Sequence, residues 1–124
     1  MSASSEAMRK ILTILFLSLL GACGVMQTKG EQALSAGLRQ YEAGEYAEAQ
    51  KSFTGALEAG IPLAEQVEAR KHLAFIHCVS GRQAQCREEF RRALDLNPQL
   101  ELSPAEAGHP SWGPAFRTVK AARR

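Results

Sequence analysis

Two stretches decide the fold: AGEYAEAQKSFTGALEAG at residues 43–60 and SGRQAQCREEFRRALDLNP at residues 80–98. In each, apolar residues recur three or four positions apart after a glycine, which is the spacing of one helix face. The stripe of the first stretch is Tyr46, Ala49, Phe53, Ala56 and Leu57, and that of the second is Cys86, Phe90, Ala93 and Leu94. The pattern predicts two amphipathic helices, each following a glycine turn, and an all-α fold class.

The two stretches belong to one unit that recurs at an offset of 37 residues. Seven pairs of positions align: Gly37 with Ala74, Tyr41 with Cys78, Gly44 with Gly81, Ala49 with Cys86, Phe53 with Phe90, Ala56 with Ala93 and Leu57 with Leu94. Each unit therefore starts one helix upstream of its glycine, which predicts helical hairpins in residues 30–60 and 67–98. Small residues such as Gly37 and Ala49 should lie where the two helices of a hairpin cross, because a larger side chain there would push them apart.

The order of small and large residues, G-x₃-Y-x₂-G-x-Y-x₂-A-x₃-F-x₂-A-L over residues 37–57, resembles the tetratricopeptide (TPR) repeat. The second copy spans residues 74–94 and runs on into DLNP. The TPR period is about 34 residues, so the longer offset places extra residues between the copies, near EAGIPLAEQ. There Gly60 suits the position after a helix and Pro62 a first helical turn. The resemblance implies two stacked TPR-like hairpins with a concave face.

The N-terminus is predicted to be an export signal. Arg9 and Lys10 precede the apolar run ILTILFLSLL at residues 11–20, which is shorter than the roughly 20 residues that span a bilayer. A basic start, a short apolar run and small residues are typical of a secretory signal. The start codon could be Met1 or Met8, since a complete signal follows either one.

The sequence Leu20-Gly21-Ala22-Cys23 resembles a bacterial lipobox. The resemblance implies a signal peptide at residues 1–22, a covalent lipid on Cys23 and a lipidated linker at residues 23–29. Two or three acyl chains hold a protein firmly at a membrane. Gly24 resembles an outer-membrane address, so the protein is expected in that membrane, facing the periplasm. The alternatives are an ordinary signal with a chance cysteine and a membrane-spanning anchor.

Cys78 and Cys86 are expected to form a disulfide. On one continuous helix they would be about 12 Å apart, beyond the roughly 7 Å Cα limit for a bond, but the turn around Gly81 brings both to the inside of the hairpin. An exported chain also meets an oxidising compartment. The alternative is a pair of buried thiols. His72 and His77 are interpreted as surface residues, since their spacing to the cysteines matches no common zinc pattern.

The C-terminal extension, residues 99–124, is expected to complete the core, because two hairpins are fewer than a stable stack usually needs. Ser103-Pro104-Ala105-Glu106 reads as a capping box with proline at the first helical position, and Ser111 is predicted to cap a last helix. The predicted partner-binding or capping face consists of Leu34, Leu38, Tyr41, Phe75, Trp112 and Phe116. The last helix is either a cap on the hairpins or an exposed helix that binds a partner; His109 is interpreted as a turn residue.

The cysteine pair, the junction LNPQLELSPAE and the segment GHPSWGPAF resemble the TssQ-type lipoproteins associated with type VI secretion systems. The resemblance covers about residues 69–120 and implies an accessory role in the cell envelope, with secretion-system components as protein partners. An alternative is a TPR lipoprotein that serves pilus assembly or recruits peptidoglycan enzymes.

Several function classes are not expected from the residues themselves. Without the signal, basic and acidic side chains nearly balance, which predicts no nucleic-acid surface. No nucleophile–base pair, phosphate loop or carboxylate pair is recognisable. We therefore predict a non-enzyme without a small-molecule substrate, metal or cofactor other than the lipid on Cys23.

Overall fold

The computed structural model describes residues 2–21 and 26–123, and the regular structure in those ranges is entirely helical, which confirms the all-α prediction. The helices in chain order are α1 (Ser2–Gly21), α2 (Lys29–Glu42), α3 (Tyr46–Ala59), α4 (Leu63–Val79), α5 (Gln83–Leu96), α6 (Pro104–Ala107) and α7 (Gly113–Ala121). Cys23 and Gly24 lie outside the described residues, so the lipidation and sorting hypotheses remain predictions.

The side chains that the structure describes in α1, those of residues 4–13, are all exposed. They include the apolar side chains of Met8, Ile11 and Leu12. The described members of both core clusters come from α2 onward. None of the helices in the described ranges has the length and hydropathy needed to cross a membrane.

The backbone of the two hairpins repeats with the offset read from the sequence. In the first turn the amide of Gly44 donates to the Tyr41 carbonyl and that of Glu45 to Gln40; 37 residues later, Gly81 donates to Cys78 and Arg82 to His77. The turn glycines have φ of 77° and 78°, a region that side chains other than glycine rarely adopt. Helices α2 and α3 form the first hairpin, and α4 and α5 form the second.

Small residues set the helix spacing, as predicted. A Cβ added to Gly37 of α2 would lie 2.8 Å from the ring of Phe53 in α3, so the ring packs directly on the helix backbone. Ala49 and Ala74 are completely buried. Between the hairpins, Gly60 ends α3 with φ of 92°, and α4 begins at Leu63, so Pro62 precedes the helix and is not in its first turn.

The core consists of two clusters: the first joins the first hairpin to α4, and the second joins α4 and α5 to the C-terminal extension. The first cluster contains Leu34, Ala49, Phe53, Ala56, Ile61, Ala69, Leu73 and Ile76. The second contains Ala74, Phe75, Cys78, Cys86, Phe90, Leu94, Trp112, Ala115 and Phe116. Since Trp112, Ala115 and Phe116 come from the C-terminal extension, the extension is part of the second cluster.

The predicted N-terminus of α6 is confirmed, and that of α7 is wrong. The Ser103 hydroxyl accepts a hydrogen bond from the Glu106 amide while the Glu106 carboxylate accepts one from the Ser103 amide. Ser111 caps no helix: its amide donates to Nδ1 of His109 at 3.1 Å, and α7 begins two residues later, at Gly113. Trp112, not Ser111, occupies the N-cap position of α7, and no side chain caps that helix.

Candidate interaction face

The six residues predicted to form one face are divided between the two core clusters. Phe75, Trp112 and Phe116 belong to the second cluster, whereas Leu34 belongs to the first. Leu38 and Tyr41 are half-buried. Trp112 is 7% exposed and Phe116 is 4% exposed, so α7 has the arrangement of a cap on the second hairpin, and these two rings are not free for a partner.

Trp112 is the centre of an aromatic stack. One face of its indole packs on Phe75 of α4 with ring centroids 4.3 Å apart, and the other packs on His109 at 3.5 Å with the planes nearly parallel. The indole N–H donates to the Glu106 carbonyl at 2.7 Å. The indole is thus packed on both faces and its single donor is satisfied, as a buried tryptophan requires.

Helix α7 is also fixed along its length to α5 and to the segment before α6. The Phe116 ring meets Phe90 edge-on, with centroids 5.3 Å apart. Lys120 donates to the Leu100 carbonyl at 2.8 Å and pairs with Glu101. Arg123 pairs with Asp95 at 2.6 Å. Because these contacts are spread along the helix, α7 lies along α5 as a third layer of the stack.

An ion pair joins the extension to the inner side of α4. Lys71 Nζ lies 3.0 Å from Glu106 Oε2, and both side chains are largely shielded from solvent. Burial works to raise the pKa of the Glu106 carboxyl. The hydrogen bond from the Ser103 amide and the Lys71 ammonium outweigh it and leave the pKa below its usual value. The charged carboxylate therefore serves both as the cap of α6 and as a contact to α4.

The extension covers only part of the predicted concave face. It packs on Phe75, whereas Leu34 belongs to the first cluster, which holds residues of α3 and α4 and none of the extension. Trp112 and Phe116 anchor the extension at Phe75 and Phe90, because Glu106 and Trp112 bind to α4 and α7 follows α5. Tyr41, Leu38 and the neighbouring Tyr46 remain accessible in part. We call these three residues the open patch.

The open patch is dominated by two tyrosines on either side of the first turn. The rings of Tyr41 and Tyr46 have centroids 5.5 Å apart, and Tyr46 is 38% exposed. Burial, with smaller contributions from Tyr46 and Glu106, raises the pKa of Tyr41 to about 12. Its hydroxyl is therefore neutral at any physiological pH. A tyrosine that is partly exposed offers both an apolar ring and a hydrogen-bonding group, which suits a protein partner.

The cysteine pair is bonded across the second hairpin, as the sequence predicted. Cys78 of α4 and Cys86 of α5 have Cα atoms 5.1 Å apart and form a disulfide. Both residues are buried in the second cluster together with Phe90 and Phe116. The bond therefore links the two helices on which the extension packs.

The interpretation of His72 as a surface residue is wrong. It is 8% exposed and lies between the two clusters, where it contacts the rings of Tyr41, Phe53 and Phe75 at centroid distances of 4.8, 5.4 and 5.6 Å. Its Nδ1 hydrogen-bonds the Glu68 carbonyl oxygen at 2.9 Å. Burial lowers its pKa, so the ring is neutral and structural. The sequence did indicate that His72 is buried, because residues 69, 72, 73 and 76 lie on one face of α4.

His77 also has structural contacts. Nδ1 of His77 accepts a hydrogen bond from Arg82 at 2.9 Å, and Arg82 also reaches Gln50 of the first hairpin. Burial and the Arg82 charge lower the pKa of His77.

Among the described residues, no group of three or more histidine, cysteine or acidic side chains is arranged to hold a metal ion.

No protein family, curated protein or solved structure matches the chain. The helices form a scaffold whose predicted concave face is partly covered by the chain's own C-terminal extension. The sequence did not identify Tyr46, Lys71 or Glu106 as parts of this face. The apolar stripe read from residues 43–60 includes Tyr46, but the contact between Lys71 and Glu106 depends on the path of the extension, which no local pattern specifies.

Proposed function

We propose that this protein is a non-enzymatic adaptor, anchored through Cys23 in the outer membrane and facing the periplasm, that binds a protein partner of a type VI secretion system. The scaffold is of the TPR type. The observation that carries the proposal is that the extension covers only part of the predicted concave face. It packs on the second hairpin, and the open patch of Leu38, Tyr41 and Tyr46 is left for a partner.

Four further features support this proposal. The lipobox-like residues 20–23 supply the anchor. The exposed apolar side chains of Met8, Ile11 and Leu12 suit a segment that enters the export machinery. The disulfide between Cys78 and Cys86 suits an oxidising compartment. The histidines and the later cysteines, which are the residues most often used in catalysis, are taken up by packing and hydrogen bonds.

The anchor is tested by growing cells with an alkyne-bearing fatty acid and fractionating their membranes. Wild-type protein should be labelled and recovered in the outer membrane, whereas Cys23→Ser should be unlabelled. A Cys78→Ala and Cys86→Ala double variant is the matched control, because it removes two cysteines but keeps the lipidation site. Equal labelling of wild type and Cys23→Ser would disprove the anchor.

The partner surface is tested by photo-crosslinking in living cells. A photoreactive amino acid at Tyr46 should capture a defined protein, whereas the same amino acid at Ala84, an exposed position on α5, should not. A captured component of the secretion baseplate or sheath would support the type VI assignment. Capture of pilus or peptidoglycan proteins would overturn that assignment and support the alternative envelope role.

A further inference from the structure

The disulfide between Cys78 and Cys86 is shielded from solvent by side chains of the second cluster. Cys86 is fully buried and Cys78 is 4% exposed. The other members of the cluster include Trp112 and Phe116 of the extension. A disulfide is reduced when a thiolate attacks one of its sulfur atoms, and the rate depends on access to that atom. Part of the fold must therefore move before a reductant reaches this bond.

The extension is the cover that can move most easily. Helices α6 and α7 follow the two hairpins in the chain, so they can undock transiently while α2–α5 keep their backbone hydrogen bonds. Such partial openings need less free energy than global unfolding. The ion pair of Arg123 with Asp95 at the end of α7 is partly exposed, and exposed pairs contribute little. The first hairpin also covers α4, but it shares a cluster with Leu73 and Ile76, so its departure would break up that cluster.

The docked position of the extension depends in turn on the bonded helices. Trp112 packs on Phe75 of α4, whereas Phe116 packs on Phe90 of α5. The site that receives the extension is thus built from two helices, and the disulfide fixes one of them against the other. Two coupled equilibria favour each other by the same free energy. A docked extension therefore protects the bond to the extent that the bond favours docking.

We propose that the extension is a redox-sensitive cap on the Cys78–Cys86 bond: the bond persists while the extension is docked and is reduced only when the extension undocks. The co-reactant is a dithiol. One of its thiolates attacks a protein sulfur and forms a mixed disulfide, and its second thiolate then displaces the protein sulfur. The dithiol leaves as a disulfide, so two electrons and two protons pass to the thiols of Cys78 and Cys86.

Reduction changes the surface that the protein presents. Undocking uncovers Phe75 and Phe90, and Phe75 lies beside Tyr41 of the open patch, with ring centroids 6.4 Å apart. Loss of the bond weakens redocking, so the reduced protein has a wider apolar face. Oxidation must come before docking, since the docked extension helps to bury both sulfur atoms. The inference goes beyond the proposed function and needs neither the lipid anchor nor a partner.

The cap is tested by the rate at which dithiothreitol reduces the purified full-length protein in native buffer. Any free Cys23 thiol is alkylated first, and the thiols released later are alkylated at intervals and counted by mass spectrometry. Trp112→Phe keeps an aromatic ring but loses the indole hydrogen bond to the Glu106 carbonyl, so its bond should be reduced about two- to tenfold faster. Gly37→Ala is the matched control. It crowds Phe53 in the first hairpin and should leave the rate unchanged.

The outcomes distinguish the cap from the other routes to the bond. Acceleration by Trp112→Phe alone supports the cap. Acceleration by Gly37→Ala, alone or together with Trp112→Phe, would show that the bond is reached through the first hairpin or through global unfolding, and would overturn the proposal. An unchanged rate in both variants would place the opening at the turn between α4 and α5 and overturn it as well.

Urea below the unfolding transition gives a second, independent measurement on wild type. The response of an opening to urea scales with the surface that the opening exposes. Reduction through the extension should therefore accelerate less steeply with urea than global unfolding does. A slope equal to that of global unfolding would overturn the cap, and so would a native-buffer rate equal to that of the urea-unfolded chain, because the bond would then have no protection.

Discussion

The two hairpins have the same backbone, but different side chains hold their two helices together. In the first, the missing side chain of Gly37 lets Phe53 pack on the α2 backbone. In the second, the equivalent positions hold Ala74 and Phe90, and a disulfide joins Cys78 to Cys86. A repeated backbone therefore does not require a repeated core, provided that each hairpin holds its helices together in some way.

The hairpins also differ in what covers them. The second hairpin carries the extension, which buries Phe75 and Phe90 beneath Trp112 and Phe116. Within the part of the chain that the structure describes, the first hairpin packs on α4 alone, and it keeps the open patch. Terminal units of a repeat stack need a cap to be soluble. Here α7 covers the second hairpin, whereas α2 of the first hairpin keeps exposed polar side chains such as Gln32 and Arg39.

The largest effect is expected from removing the indole that joins the extension to the second hairpin. Trp112→Ala should lower the free energy of unfolding by about 3–5 kcal/mol, as large aromatic truncations in cores do. Small domains have about 5–15 kcal/mol in total. Thermal unfolding followed by circular dichroism measures this, and we expect a melting temperature many degrees below wild type.

A conservative variant and a truncation test how Trp112 acts. Trp112→Phe keeps an aromatic ring between Phe75 and His109 but loses the hydrogen bond to Glu106, so its loss should be smaller than that of Trp112→Ala. Deletion of residues 103–124 should produce an unfolded or aggregating protein. Cooperative melting of the truncated chain at the wild-type temperature would contradict the role of the extension as a cap.

The next largest effect is expected from the disulfide, which only the second hairpin has. Replacing both Cys78 and Cys86 with alanine should cost about 2–3 kcal/mol, the chain-entropy value for so short a loop. Urea unfolding measures the loss. Addition of a reductant should shift wild type toward the double variant and leave the variant unchanged. If reductant does not move the wild-type midpoint, the bond makes no contribution to stability.

The repeat made much of this architecture predictable, and the chain beyond the repeat was less so. The turns at Gly44 and Gly81, the close packing at Gly37 and the capping box at Ser103 all follow from local rules about glycine, helix period and caps. The path of the extension does not follow from local rules, because it depends on two contacts between distant parts of the chain: Trp112 with Phe75, and Glu106 with Lys71. His72 was misjudged because a polar residue type was given more weight than its position on the buried face of α4.

The packing of the first hairpin can be tested by a matched pair of glycine substitutions. In Gly37→Ala, the new methyl group would lie 2.8 Å from the Phe53 ring, and such overpacking typically costs about 1–3 kcal/mol. Gly55→Ala in α3 meets nothing within 4 Å and should stabilise the helix by up to about 1 kcal/mol. Denaturant unfolding of both variants should give shifts of opposite sign. Stabilisation by Gly37→Ala would show that Phe53 can move aside.

The smallest expected effect concerns His72, which lies between the two hairpins. Burial holds its folded-state pKa below the ordinary value of 6.5, although the Glu68 carbonyl and the carboxylates of Glu68 and Glu106 oppose that shift and Lys71 adds to it. Below pH 6.5 the unfolded chain therefore binds a proton that the folded protein resists, and stability must fall as the pH drops through this value. Glu106 acts in the same direction, but only below its ordinary pKa of 4.5.

Between pH 7.5 and 5.5 the melting temperature of wild type should decline, and that of His72→Phe should decline less. His77→Gln should also lessen the decline, because burial and the Arg82 charge lower the pKa of His77, and the double variant should show the smallest decline. If His72→Phe keeps the full wild-type decline, the pH dependence originates elsewhere and His72 does not couple protonation to the packing of the two hairpins.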